Sequence, residues 1–271
     1  MRVRAEDWAG HTHRSFEGPR RKWLSLAIAC LAAVAAVTVS PAHAALASGG
    51  GDGCNPHRGN NYLTYIFDGA DHPDPGIPGG VYATISNYSP FVAGPNQGAP
   101  SNDFTSEWVM LDNDATQWVQ IGWVEFAGSV RNTFWEWTKV NGDFEDAYAS
   151  AFPINSAHTY TVLYQPGNTN PFVVQVDGGT YATIPQFFTP NDAQIFAELH
   201  TQASQMPGGT ADDPTHTPLV SNAHLWPTSG SGGWQNFNGT TATGASWAKI
   251  SPAPGSTGVN TWRTWDTACT T

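Results

Sequence analysis

Residues Glu107 to Trp137 read EWVMLDNDATQWVQIGWVEFAGSVRNTFWEW. Three strand-like runs follow one another here, and the middle one alternates cleanly. Across Gln117–Phe126, side chains Trp118, Gln120, Gly122, Val124 and Phe126 point to one face, and Val119, Ile121, Trp123 and Glu125 to the other. The next run, Asn132–Lys139, puts Phe134, Glu136 and Thr138 on one face and Trp135 and Trp137 on the opposite one. Gln120 therefore sits among aromatic and apolar groups, where a carboxamide must find hydrogen-bond partners or serve a ligand. Tryptophans 108, 118, 123, 135 and 137 on pleated strands imply either a thick core or a stacking groove.

Outward from this stretch, the same period recurs between Pro- and Gly-rich punctuation. Strands are expected at Asn61–Asp68, Val81–Ser86, Glu107–Asp112, His158–Gln165, Phe172–Asp177, Thr180–Pro185, Ala193–His200 and Leu219–Trp226. Asp71–Gly80, Ser89–Ser101 and Asn141–Pro153 read as loops or irregular segments. The tail from Thr228 is rich in Gly, Ser and Thr and gives no clear period. No internal repeat and no convincing amphipathic helix is present. This pattern predicts an all-β chain folded as an antiparallel β-sandwich.

The first 44 residues read as a signal peptide. Six basic residues precede the uncharged run Trp23–Val39, and Ala42-His43-Ala44 forms a small-x-small cleavage site. Residues 45–60 are a Gly-rich lead-in, and residues 61–271 form the sandwich domain. The exported chain would carry five basic against 19 acidic residues, a net charge of −14. That excludes nucleic acid and anionic membrane as partners held by a basic patch. Its two cysteines, Cys54 and Cys269, are expected to form one disulfide in an oxidising compartment, stabilising the fold by about 4–5 kcal/mol. A secreted, monomeric protein without membrane attachment after cleavage is expected.

Common hydrolase signatures are absent: the chain has no G-x-S-x-G, no H-E-x-x-H and no Walker loop. Asp112-Asn113-Asp114 opens like a calcium loop, but the glycine and closing glutamate are missing, so it reads as a turn and no metal site is expected. What remains is one carboxamide and two carboxylates on strands, Gln120, Glu136 and Glu198. His200 follows Glu198 by two residues on the same strand face, close enough to pair with it or to share a ligand.

Four motifs in order carry a resemblance. Trp108-Val109-Met110-Leu111-Asp112, Val119-Gln120-Ile121-Gly122, Phe134-Trp135-Glu136-Trp137 and Asp192-Ala193-Gln194-Ile195-Phe196-Ala197-Glu198 are similar to the glutamic peptidase (eqolisin) runs W-V-G-I-D, L-Q-T-G, W-Y-E-W and N-A-E-F-I-I-E. Val220-Ser221-Asn222-Ala223 resembles the family's following strand. The resemblance implies a concanavalin-like sandwich and a secreted acid endopeptidase that needs no cofactor and takes a polypeptide substrate. By it, Gln120 and Glu198 would be the catalytic dyad, supported by Trp108 and Glu136. Asn132 stands where the family has an aspartate, and Trp118 and Phe196 complete the supporting set. A non-catalytic alternative stays open: a carbohydrate-binding or cell-envelope sandwich whose exposed tryptophans stack on sugar rings.

Overall fold

The computed structural model describes residues 66–73, 76–95, 102–113, 116–128, 130–139, 141–185, 187–201, 204–206, 219–227, 232–243, 248–251 and 260–266. The expected leader, the Gly-rich lead-in and both Cys54 and Cys269 lie outside these residues.

Among the described residues, fifteen strands make two antiparallel sheets. The first sheet contains β1 (Ile66–Pro73), β3 (Phe104–Asn113), β4 (Gln117–Phe126), β5 (Val130–Thr138), β6 (Phe144–Ser150), β10 (Asp192–Leu199) and β13 (Thr240–Thr243), ordered β13-β1-β10-β3-β4-β5-β6. The second contains β2 (Gly80–Ser86), β7 (Ala157–Tyr164), β8 (Phe172–Val176), β9 (Gly179–Ile184), β11 (Leu219–Trp226), β14 (Ala248–Ser251) and β15 (Trp262–Asp266), ordered β14-β15-β11-β2-β7-β8-β9, with β12 (Gln235–Asn236) on β11. The chain is an all-β, concanavalin-like sandwich.

Alternation decides what lies between the sheets. Val109, Leu111, Val119, Ile121, Trp123, Ala193 and Ile195 of the first sheet pack on Val81, Ala83, Ile85, Val162, Phe172 and Val174 of the second. Burying this apolar surface is the main term holding the layers together. The first sheet has a second apolar layer on its outer face, where Trp108, Met110, Trp118, Val124, Phe134 and Phe196 cluster. The sheet is therefore buried on both faces, so β3, β4 and β10 are enclosed along almost their whole length, polar residues such as Glu107, Gln120 and Glu198 included.

Three expectations need correction. Asn141–Pro153 contains strand β6, an edge strand paired with β5 from Asn132↔Ser150 to Thr138↔Phe144. Its mostly solvent-facing side chains hide the alternation. Strand β1 runs to Pro73, so Asp71 and His72 belong to the sheet and not to the following loop. The tail beyond Thr228, which shows no period, supplies the short strands β12 to β15: β13 pairs with β1 from the other end of the described chain, β12 and β15 with β11, and β14 with β15.

Candidate active site

The register of the first sheet sets three neighbouring rows on its outer face. One row runs Asp71, Gln194, Met110, Gln120, Glu136; the next runs Gly69, Phe196, Trp108, Gly122, Phe134; the third runs Phe67, Glu198, Ser106, Val124, Asn132. Gln120 and Glu198 thus share one face, two strands apart, with the Trp108 row between theirs. The two glycines of that row admit unusually close backbone approach. A Cβ on Gly69 would lie 2.2 Å from the Ile195 carbonyl oxygen, and one on Gly122 would lie 2.0 Å from that of Glu107. Phe196 and Trp108 fill the space between these glycines, their rings 5.5 Å apart.

Each glutamate is gripped by an indole. Trp108 Nε1 donates to Glu198 Oε2 at 2.8 Å, and Ser106 Oγ donates to the same oxygen at 3.2 Å. Trp118 Nε1 donates to Glu136 Oε1 at 2.9 Å, and Gln120 Nε2 donates to that oxygen at 3.2 Å. Trp118 is itself pinned, its backbone N–H bonding Thr138 Oγ1 at 3.1 Å. The Gln120–Glu136 bond fixes which end of the carboxamide points toward β5. Asn132 shares the face, but no hydrogen bond ties it to Gln120 or Glu136. Phe196 packs against Trp108 and Phe67.

Electrostatics follow from depth. Burial raises the Glu198 carboxyl above the usual range, while the bonds from Trp108 and Ser106 and the nearby His200 pull it back. Burial pushes Glu136 up to about 8; the Trp118 bond opposes this, and Glu198 and Asp146 add repulsion. The two glutamates are therefore close enough to feel each other. Gln120 and Glu198 are 6% and 7% exposed, so the groups are sunk into the face yet not sealed.

Two further polar groups escaped the sequence reading. Asp71, Asp112, Asp192 and Gln194 meet at the end of the face nearer Trp118. Gln194 Nε2 donates to Asp112 Oδ2 at 3.0 Å and to Asp192 Oδ2 at 3.4 Å. Burial and then Asp192 push Asp71 up to about 7, the behaviour of two carboxyls sharing a proton. Asp112 thus turns to its sheet neighbours, and the turn after Asn113 is closed by the Thr116 N–H on the Asn113 carbonyl at 3.3 Å. At the opposite end, Asp103 meets His200. Ser106 had a signal in the sequence, since it precedes Trp108 by two residues on one strand face. Asp103 had none, because only folding brings it to His200. Among the described residues no group of three or more His, Cys, Asp or Glu side chains is placed to hold a metal ion.

The tryptophans of the opening stretch are committed to packing, fully for three of them and partly for the other two. Trp108, Trp118 and Trp123 are buried, and Trp135 and Trp137 pack partly buried against the core between the sheets. Among the described residues, Trp234 is the exposed tryptophan, and it lies against Tyr82 and Trp226 of the second sheet.

The fold defines a class, the concanavalin-like β-sandwiches, and comparison with known proteins adds to it. No protein-family model matches the chain, and no curated protein matches it in sequence. Among solved structures, Scytalido-glutamic peptidase with a peptide-based transition-state analogue superposes with a TM-score of 0.50 at 11% identity, over 75% of this chain and 99% of that one. SCP-B, a member of the eqolisin family of peptidases in complex with the tripeptide Ala-Ile-His, gives 0.49 at 11% identity over the same shares. The carbohydrate-binding module CBM66 from Bacillus subtilis gives 0.29 at 12% identity, over 52% of this chain and 77% of that one. At 11% identity the likeness to the first of these concerns the sandwich fold alone.

Proposed function

We propose that this protein is a secreted acid endopeptidase of glutamic type, with Glu198 and Gln120 as its catalytic pair. The observation that carries the reading is the pair of directed bonds on one sheet face, Trp108 to Glu198 and Gln120 to Glu136. Both donors to Glu198 hold Oε2, which supports Oε1 as the oxygen that takes the attacking water's proton. A carboxyl raised by burial and lowered again by hydrogen bonds suits a group that takes a proton from water and returns it to the leaving amine. A carboxamide has two N–H donors; one is spent on Glu136, and the other is free to meet the oxyanion as it forms. Being neutral, it does so without weakening Glu198 as a base. Glu136, Trp118 and Trp108 position these two groups. The basic leader and its Ala-x-Ala site support export.

The deciding experiment is hydrolysis of a denatured protein substrate from pH 2 to pH 7 by the wild type and by Glu198→Gln, with circular dichroism on both. Acid activity that disappears in a folded Glu198→Gln variant supports the reading. A folded, inactive wild type, or an active Glu198→Gln variant, overturns it.

A further inference from the structure

Beyond the end of β10, the backbone continues the ladder for one residue, His200 N–H donating to the Phe104 carbonyl at 3.0 Å. This places the imidazole on the outer face beside Glu198, flat against the Phe104 ring at 5.1 Å with an interplanar angle of 10°. Its Nδ1 lies 3.2 Å from Asp103 Oδ1, and both side chains are almost fully enclosed, 5% and 0% exposed. The other oxygen of Asp103 accepts Thr201 Oγ1 at 2.7 Å and Ser204 Oγ at 2.5 Å. Ser204 in turn accepts the Ala93 N–H at 2.8 Å, and Phe91 and Gln205 exchange bonds at 3.1 and 2.8 Å. Two loops are thereby laced over this end of the sheet.

A His–Asp pair sealed this way is expensive to bury in its charged form and often stabilises no more than an apolar pair of similar shape. Its place, next to the one carboxylate that the proposed chemistry uses, gives it a use. We propose that His200, held 3.2 Å from Asp103, is a positioning residue for Glu198: it keeps an imidazole on the same strand face as that carboxylate, and the positive charge this ring carries when protonated favours ionised Glu198 and so sets the pH at which Glu198 passes between base and acid. The inference rests on the peptidase reading for its consequence, though not for its test. Among the described residues, the charged and titratable groups around Glu198 are His200 on its own strand, Asp103 behind that ring, and Glu136 across the face; Ser106 and Trp108 are its neutral donors. Of these, His200 supplies the positive charge, so its removal has one sign: Glu198 holds its proton to higher pH.

The chain has seven glutamates. Carbon-13 labelling of glutamate carboxyls gives a spectrum simple enough to titrate, and the resonance missing from Glu198→Gln identifies Glu198. In His200→Gln that resonance is expected to titrate about one pH unit higher than in the wild type, and the acid limb of kcat/KM to move with it. An unshifted Glu198 titration overturns the inference even if the enzyme is active. A shifted titration in a protein without peptidase activity upholds the electrostatic role and overturns the reading of function instead. If His200→Gln does not fold, His200→Asn, which also removes the imidazole and keeps a shorter hydrogen-bonding side chain, decides by the same criterion.

Discussion

The indole nitrogen of Trp108 lies 2.8 Å from Glu198 Oε2, and both residues are buried on the outer face of the first sheet. The bond crosses from one row of the sheet to the next, and the close approach allowed by Gly69 and Gly122 shapes that region. Trp108→Phe keeps the aromatic bulk against Phe196 and removes the donor. Glu198 then loses its closer stabilising partner, so its carboxyl rises further and the acid limb of the activity profile moves to higher pH. A hydrogen bond to a charged group is worth about 1.5–3 kcal/mol, so kcat/KM at low pH is expected to fall roughly tenfold or more. Steady-state kinetics across pH checks it; an unchanged acid limb contradicts it.

Glu136 has a different task. Its Oε1 receives both Trp118 and Gln120, so it defines the orientation of the carboxamide. In Glu136→Gln the acceptor becomes an amide that fits either way round, and Gln120 is no longer held in one orientation. We expect kcat to fall about tenfold with KM nearly unchanged, since the lost interaction acts on the transition state. A rise in KM at constant kcat would instead mark Glu136 as a substrate-binding group.

How far the sequence reached is plain from particular residues. A period of two across Gln117–Phe126 placed Gln120 and Trp118 on one face and Trp123 on the other, and the structure agrees. Alternation is a local property, visible wherever neighbours along the chain face opposite environments. Strand β6 was not legible because an edge strand with little buried on either face has no contrast to display. Asp71 looked like part of a Pro-rich loop because its carboxyl is tolerated in the sheet only through Asp192, more than a hundred residues later in the chain. The Asp103–His200 pair was hidden for the same reason, as tertiary pairing leaves no periodic trace.

The first sheet is loaded with carboxyls that prefer to be neutral. Burial raises Asp71 and Glu125 to about 7 and Glu107 to about 8, the facing Trp123 indole opposing the last shift. Glu107 is 0% exposed inside the sandwich, and the Trp123 indole that faces it makes no well-formed hydrogen bond to either carboxyl oxygen. A carboxyl raised in the folded state binds more protons folded than unfolded between its unfolded value and its folded one. Stability is therefore highest below about pH 4.5 and falls as pH rises toward 8. For Glu107 alone the loss reaches about 3 kcal/mol at pH 7. Urea midpoints at pH 4 and pH 7 should show a less stable protein at neutrality. Glu107→Gln should recover Glu107's own share, about 3 kcal/mol, of the difference at pH 7 while changing little at pH 4. A protein equally stable at both values would contradict the burial of these groups.

Gly122 tests the geometry of the face itself. It pairs with Trp108 across β3 and β4, and an added Cβ would lie 2.0 Å from the Glu107 oxygen, 2.7 Å from Trp108 Cα and 2.8 Å from Trp108 Cβ. The first two are backbone atoms, which cannot yield by changing rotamer, so β3 and β4 would have to separate. Gly128, in the turn after β4, is a natural control. Its φ of +85° strains any other residue, but an added Cβ meets nothing within 4 Å. Gly128→Ala should cost about 1 kcal/mol, from the left-handed backbone alone. Gly122→Ala should cost about 2–4 kcal/mol, the range for overpacking with backbone displacement. It should also shift Trp108 away from Glu198, so that its acid limb moves in the same direction as that of Trp108→Phe. Chemical denaturation at pH 4 gives the first comparison and the pH–rate profile the second. Equal costs for the two glycine variants would mean that β3 and β4 are not pinched together at this row.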